Sequence, residues 1–338
     1  FQRDRVNKFL ILILATAALF AANLFFGSVN IPAEDVVGII TGTDSSIAPA
    51  IRFIVVNSRL PQALTAMLGG AGLAVTGLLL QTAFRNPLAG PSILGISSGA
   101  SLGVAIVMLL LGGSVSIGSM AWGGYTAVIA GALAGSLAIM GILIALSSIV
   151  RDNLMLLIAG ILTGYLTSSL TTLLSSLSTA QGVHGYVMWG MGTFGDVTTR
   201  QMPWFATLVC LGLVGALLLA KPLNILMLGD NYAANLGVNV GRVRNMLLLI
   251  TGVLTAIITA WCGPVAFVGL AMPHIARMIF RTDNHWILIP ATMLAGSILC
   301  LGCNVASTIP DNTVIPINAL TPVVGVPVIL YVILRSRK

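Results

Sequence analysis

Charge is what this sequence lacks most. Asp, Glu, Lys and Arg make up only 7% of its 338 residues, where an ordinary soluble domain carries about a quarter. With 57% hydrophobic residues and a mean hydropathy of +1.03, this is not the composition of a water-soluble fold. The nine acids stand singly or in loops, so paired carboxylates for acid–base chemistry are missing. There are three histidines. His184 and His285 have no Cys, His or acidic partner at ligand spacing. His274 reads as a hydrogen-bonded structural group, and no metal is assigned. The four cysteines, Cys210, Cys262, Cys300 and Cys303, lie in or at the ends of apolar runs. Cys300 and Cys303 share a helix face, but no second pair stands near them. They read as small buried apolar residues rather than disulfides or a zinc site. No GxxxxGK[ST] loop is present, so the chain does not bind ATP in that way. Strand-like alternation is missing too, which argues against a membrane barrel.

What the chain has instead is long apolar runs. About 20 apolar residues span a bilayer as a helix that satisfies its own backbone hydrogen bonds. The expected spans are 9–27, 60–83, 91–111, 122–147, 154–178, 202–220, 246–262, 266–280, 286–308 and 317–334. The first follows Arg3, Arg5 and Lys8 and has no small-residue cleavage site, so it reads as retained. The whole chain, 1–338, reads as one all-α membrane domain of about ten helices with both termini on one side. Basic residues set the side. One set comprises Arg3, Arg5, Lys8, Arg85, Arg151, Lys221, Arg242, Arg244, Arg277, Arg281, Arg335, Arg337 and Lys338. The other is Arg52, Arg59 and Arg200. That asymmetry places the first set, and both termini, in the cytoplasm. The net charge of +7 therefore reports topology and contact with anionic lipid, and gives no face for nucleic acid.

Glycine is abundant, at 37 residues. Gly69, Gly70, Gly72 and Gly77 dot the second span, Gly131 and Gly135 the fourth, and Gly95, Gly99 and Gly103 form a GxxxGxxxG face on the third. Small residues at this spacing let helix backbones approach closely in lipid. No Asp, Glu, Lys or Arg sits in the middle of any span. Ion-coupled transporters generally need such groups, so the pattern favours a pathway driven from outside the chain.

The polar segment 221–245 interrupts two apolar runs, and 179–200 is a second segment too polar and Gly-rich to span. In the first, Asp230 suits the N-terminus of a short helix through Ala233, Ala234 and Leu236, and Gly237 suits its stop. Such a segment reads as a grip for a partner or as an amphipathic loop on the membrane. Arg85, Asn86 and Pro87 suit an inner turn, with Arg85 either anchoring topology or touching a partner. In 179–200, Tyr186 and Trp189 read equally as a docking ledge or an interfacial belt.

Four stretches, in order, closely resemble the iron-chelate, haem and cobalamin permease family of ABC importers. They are RLPQALTAMLGGAGLAVTGLLLQ at 59–81, RNPLAGPSILGISSGAS at 85–101, LGDNYAANLG at 228–237 and GPVAFVGLAMPHIARMIF at 263–280. The resemblance implies a type II importer permease fold of ten helices, a dimer, two cytoplasmic ATP-binding cassette subunits that hold ATP and Mg, and an extracytoplasmic substrate-binding protein. The chain itself would bind no cofactor and catalyse nothing. It implies cytoplasmic coupling helices within 221–245, carrying Asp230, Ala233, Ala234, Leu236 and Gly237, and a bacterial inner-membrane location. Docking arginines of the family carry over at Arg59, with Arg52 as a substitute. The family's RLPR reads RLPQ here, ending in Gln62. An Asp and Arg near the ninth span are Asn304 and Thr308, and PVG reads Pro316-Ile317-Asn318. A path for a large chelate would be lined by small and hydroxyl residues such as Ser97, Ser98, Thr167, Ser168 and Ser169. A ferric siderophore is the expected cargo, with haem and cobalamin beside it. The alternatives, an ion-coupled secondary transporter or a multispan membrane enzyme, would show inverted halves with coupling-ion ligands, or a border cluster of acids and histidines.

Overall fold

The computed structural model describes residues 2–42, 48–117, 120–150, 153–309 and 314–335. Arg151, Arg337 and Lys338 fall outside them. In chain order the helices are α1 (Gln2–Phe25), α2 (Ala33–Thr41), α3 (Pro49–Ile54), α4 (Leu60–Phe84), α5 (Ile96–Ala105), α6 (Tyr125–Ile149), α7 (Asn153–Leu177), α8 (Ala180–Gly190), α9 (Met202–Leu218), α10 (Ala220–Leu226), α11 (Asp230–Asn235), α12 (Val240–Cys262), α13 (Val268–Phe280), α14 (His285–Thr308) and α15 (Ile317–Arg335). π-Helical turns at Val55–Arg59 and Ile106–Leu110 run into α4 and out of α5. An antiparallel hairpin, β1 (Ser114–Ile117) with β2 (Met120–Gly123), precedes α6.

Among the described residues six helices are long and apolar enough to cross a membrane, or seven if α9 and α10, bent by 45°, count as one span. Three expected spans appear as the shorter apolar helices Ile96–Leu110, Val268–Phe280 and Ile317–Tyr331. Two of these differences have a visible cause. The third expected span, 91–111, begins as a buried turn and becomes helix only after Gly95, which takes φ 76°. The eighth, 266–280, begins as irregular chain. Gly263 and Phe267 both have positive φ, 73° and 65°, and only then does α13 start. The fourth span starts at Tyr125 rather than at 122, because residues 120–123 pair as β2. The amphipathic α2 and the short α3 lie in a stretch for which no element was expected.

α4 is the central column, with α1, α9, α12, α13 and α14 packed round it. α5 packs against α6 on one side and α7 on the other. The seam between α5 and α6 depends on glycine. A Cβ at Gly131 would lie 2.7 Å from the Val107 side chain and 2.8 Å from the Gly103 carbonyl, and Gly99 faces Gly135 in the same way. At Gly77, a Cβ would overlap the Gly269 carbonyl of α13. Lipid gives helices no hydrophobic drive toward one another, so such close approach supplies the attraction.

Chain direction places two ends. α4 runs from Arg59 to Arg85, and α14 begins beside α10. Phe9 of α1 stacks on Phe280 at the foot of α13, with ring centroids 4.5 Å apart. Arg3, Arg5, Lys8, Arg85, Lys221, Arg242, Arg244, Arg277 and Arg281 therefore share the end carrying α10 and α11. Arg52, Arg59 and Arg200 share the other, as the charge reading expects.

Candidate functional site

The α10–α11 end is organised by the foot of α4. That helix closes with Arg85 in the left-handed region at φ 46°, the Arg85 N–H reaching Thr82 O and the Asn86 N–H reaching Gln81 O. This is a Schellman closure, normally glycine's. An arginine there adopts a conformation that costs about 1 kcal/mol, and its side chain bonds outward. Arg85 Nη2 donates to Leu226 O at 3.1 Å, the last residue of α10, and to Asp230 Oδ1 at 2.5 Å, the first of α11. Asn86 Oδ1 accepts the Leu88 N–H at 2.9 Å and fixes the turn. The Pro87 carbonyl meets His274 Nε2 of α13 at 2.8 Å. His274 is thus the hydrogen-bonded structural group expected. Arg277, one turn on, donates to Gln81 Oε1 at 2.7 Å, and Gln81 Nε2 donates to Leu270 O at 3.2 Å.

α11 differs from expectation at its start. Gly229 occupies the cap position, and Asp230 is the first helical residue with no capping bond. Its carboxylate still lies at the positive end of the helix, facing Arg85. The stop is as expected. Gly237 has φ 82°, its N–H reaching Ala234 O and the Val238 N–H reaching Ala233 O, both at 3.0 Å. Ala233 is fully buried and packs inward. Met227, Leu228, Tyr232 and Leu236 stand exposed together with Asn231, Ala234 and Asn235, and make the tip a knob with much apolar surface. The sequence reading missed Met227, Leu228 and Tyr232, because helix phase decides which side of so short a helix faces out.

At the opposite end Arg59 corrects the reading. It is not displayed for docking: it is 4% exposed, and its guanidinium donates to Leu24 O at 2.8 Å, Phe25 O at 2.9 Å and Val29 O. It clamps the C-terminal end of α1 and the loop beyond. Arg52, by contrast, is exposed. Two of the residues that depart from the family pattern, Gln62 and Asn304, are joined to each other. Gln62 Nε2 donates to Asn304 Oδ1 at 3.0 Å, and Asn304 Nδ2 to Asn23 Oδ1 at 2.6 Å. Asn318 holds the irregular stretch before α13. Its Oδ1 accepts the Ala266 N–H at 3.1 Å, while its Nδ2 donates to Gly190 O at 2.9 Å and to Pro264 O. Non-helical backbone at membrane depth needs such partners. Nearby, burial holds the Asp196 carboxyl above its usual range, opposed by a bond with the Tyr125 hydroxyl.

Of the expected path residues, Ser98 and Ser168 come together in a cavity of about 350 Å³ between α5, α7 and α8. Ser101, Thr171, Thr172, Ser175 and Tyr186 complete it. Thr167 is turned into its own helix, bonding to Thr163 O and Gly164 O, and Ser97 and Ser169 are not on this wall. The spacing 168, 171, 172, 175 is one helix face, a signal present in the sequence and not used. Tyr186 reaches Ser101 and Thr171, and burial raises its hydroxyl above the usual value. It therefore stands over this cavity, as a ledge would.

The number of long apolar helices defines a multi-pass membrane protein. Comparison with known proteins narrows the class. The FecCD transport family profile matches residues 12–335, and the chain belongs to that family. It is 35% identical over 332 residues to the hemin transport system permease protein HmuU of Yersinia pestis, covering 98% of this chain and 95% of that one. It is 36% identical over 280 residues to the vitamin B12 import system permease protein BtuC of Klebsiella pneumoniae, covering 82% of each. Among solved structures, an inward-facing conformation of a metal-chelate type ABC transporter aligns with a TM-score of 0.81 and 28% identity. The alignment covers 97% of this chain and 99% of that one.

Proposed function

We propose that this chain is the membrane-spanning subunit of an ATP-driven importer of a large metal chelate. The observation that carries the reading is the knob of α10 and α11, fixed by Arg85 to the foot of the central helix α4. A knob tied to the core passes movement between a partner at the tip and the membrane helices. In this reading the chain crosses the bacterial inner membrane ten times, counting α5, α13 and α15. Both termini and the α10–α11 end face the cytoplasm. Two copies form a homodimer, each seated on an ATP-binding cassette subunit that holds ATP and Mg, and an extracytoplasmic binding protein delivers the cargo to the far end. The cavity between α5 and α7 belongs to the path. The relatives named for hemin and vitamin B12 weigh toward a haem-like or corrinoid cargo, with a ferric siderophore as the alternative.

Uptake into proteoliposomes holding this chain, its ATPase and the binding protein tests the reading. Labelled haem, cobalamin and ferric siderophore are run in parallel. Uptake of one, lost with a catalytically dead ATPase, supports the reading and names the cargo. Uptake without any ATPase refutes it and favours an ion-coupled transporter.

A further inference from the structure

A second, part-buried connection joins α10 to the membrane core, and it is directional. Asn224 of α10 faces His285 at the start of α14. Its Oδ1 meets both the backbone N–H and Nδ1 of His285, each at 2.8 Å. Its Nδ2 donates to Asn284 Oδ1 at 3.0 Å. Asn284 Oδ1 in turn accepts the Trp286 N–H at 3.0 Å and caps α14. These partners fix the proton pattern. A backbone donor points at the Asn284 oxygen, so Asn224 must present its nitrogen there and its oxygen to His285. His285 Nδ1 then carries the proton, and in the neutral ring Nε2 is an acceptor. Thr82 Oγ1, in the last turn of α4, lies 2.8 Å from Nε2 and donates to it, in preference to Leu78 O at 3.0 Å.

We infer that the Thr82–His285–Asn224 relay is the strut that couples α10 to the transmembrane core, which makes His285 and Asn224 positioning residues for energy coupling. The inference rests on the importer reading above. Arg85 alone holds α10 at the Leu226 carbonyl and is half exposed, so it acts as a pivot. Asn224, two residues earlier, supplies a second fixed point through a histidine that is 1% exposed. Two points on one short helix fix its orientation as well as its position. A displacement at the knob is then passed to the ends of both α4 and α14.

The test uses the complete complex in proteoliposomes and reads cargo moved per ATP hydrolysed. Thr82→Val removes one donor with nearly the same shape, and Thr82→Ser keeps the donor. Asn224→Ala removes the whole middle of the relay. The expected result is a fall of about two- to tenfold in the ratio for Thr82→Val, the worth of one hydrogen bond, a larger fall for Asn224→Ala, which removes three, and Thr82→Ser near wild type. A structural role alone lowers the amount of complex, moves uptake and hydrolysis together, and leaves the ratio unchanged. That result overturns the strut. If Asn224→Ala fails to assemble, the Thr82 pair decides. A wild-type chain that captures no ATPase refutes the importer reading instead, and does so before any variant is compared.

Discussion

Replacing Asn318 by alanine removes three hydrogen bonds through one side chain. The amide accepts the Ala266 N–H and donates to Gly190 O and Pro264 O. At about 1 kcal/mol net for each bond, the loss is about 3 kcal/mol, and about 5 kcal/mol if the Ala266 N–H is left orphaned in a dry site. Aspartate sharpens the test. It keeps the acceptor for Ala266 but sets a carboxylate oxygen against two carbonyl oxygens and strands a charge in a half-buried site. Asn318→Asp should therefore be no more stable than Asn318→Ala. Unfolding in nanodiscs, followed by tryptophan fluorescence, gives the order. Trp189 is next to Gly190, and Trp261 lies near the same junction, so the probes report locally. An aspartate variant clearly more stable than the alanine variant would refute the donor assignment. Near-wild-type stability of both would refute the role of Asn318 as the brace of the irregular stretch.

Gly237 has φ 82° and open space around its α-carbon. Gly237→Leu therefore meets no clash and pays only a conformational cost of about 1 kcal/mol; the complex should assemble, hydrolyse ATP and transport poorly, and wild-type uptake with wild-type stimulation of hydrolysis would refute this. Asn304 is 4% exposed, so Asn304→Asp buries a charge facing Asn23 Oδ1, at a cost of about 3–5 kcal/mol. Adding Gln62→Arg should recover part of that loss, and strictly additive effects in a double-mutant cycle would count against a Gln62–Asn304 pair. Burial raises the Asp196 carboxyl above its ordinary 3.8, against the pull of Tyr125. A raised carboxyl contributes its stability in full below the ordinary value, and the contribution is lost as pH rises through the raised one. Wild type should thus lose slightly more stability than Asp196→Asn as pH climbs from 3.8; the effect is small because the residue is exposed to solvent, and parallel curves would refute it.

Long apolar periodicity was legible. The starts of α7, α9 and α14 fall within about a residue of expectation, since an apolar run bounded by polar residues has one solution in lipid. Irregular crossings were not legible. Hydropathy treats 91–95 and 266–267 as ordinary apolar chain, whereas the structure starts helix only at Ile96 and Val268; the break at Gly263-Pro264 was legible, but its dependence on Asn318 was not. The site divides in the same way. Arg85, Asn86 and Gly237 stand in turns whose chemistry is local, so sequence could place them. Arg59 was assigned to docking because the family resemblance places docking arginines there; its three carbonyl acceptors lie about thirty residues upstream, where no local pattern points to them. His285 was set aside for want of ligand spacing, and its partner Asn224 is 61 residues away.

The hydroxyls of α7 bear on which wall of the path moves. Thr163, Thr167, Thr171, Thr172, Ser175 and Ser176 all bond to carbonyls of their own helix. A helix that satisfies its own polar groups can part from a neighbour without breaking their hydrogen bonds. α4, in contrast, is tied sideways by Gln62, Gln81, Thr82 and Arg85. The seam between α5 and α7 should therefore open while the α4 core stays intact. Gly95 lies against Gly160 and Gly164 there, and a Cβ at Gly164 would stand 3.7 Å from Ser98 Oγ. Cysteines at Ser98 and Gly164 would face each other across this seam. With the exposed Cys210 replaced by serine, oxidation of that pair should stop uptake while the ATPase stays bound, and reduction should restore it. Undiminished uptake with the bridge quantitatively formed would show that α5 and α7 travel together, and the moving seam would have to be sought elsewhere.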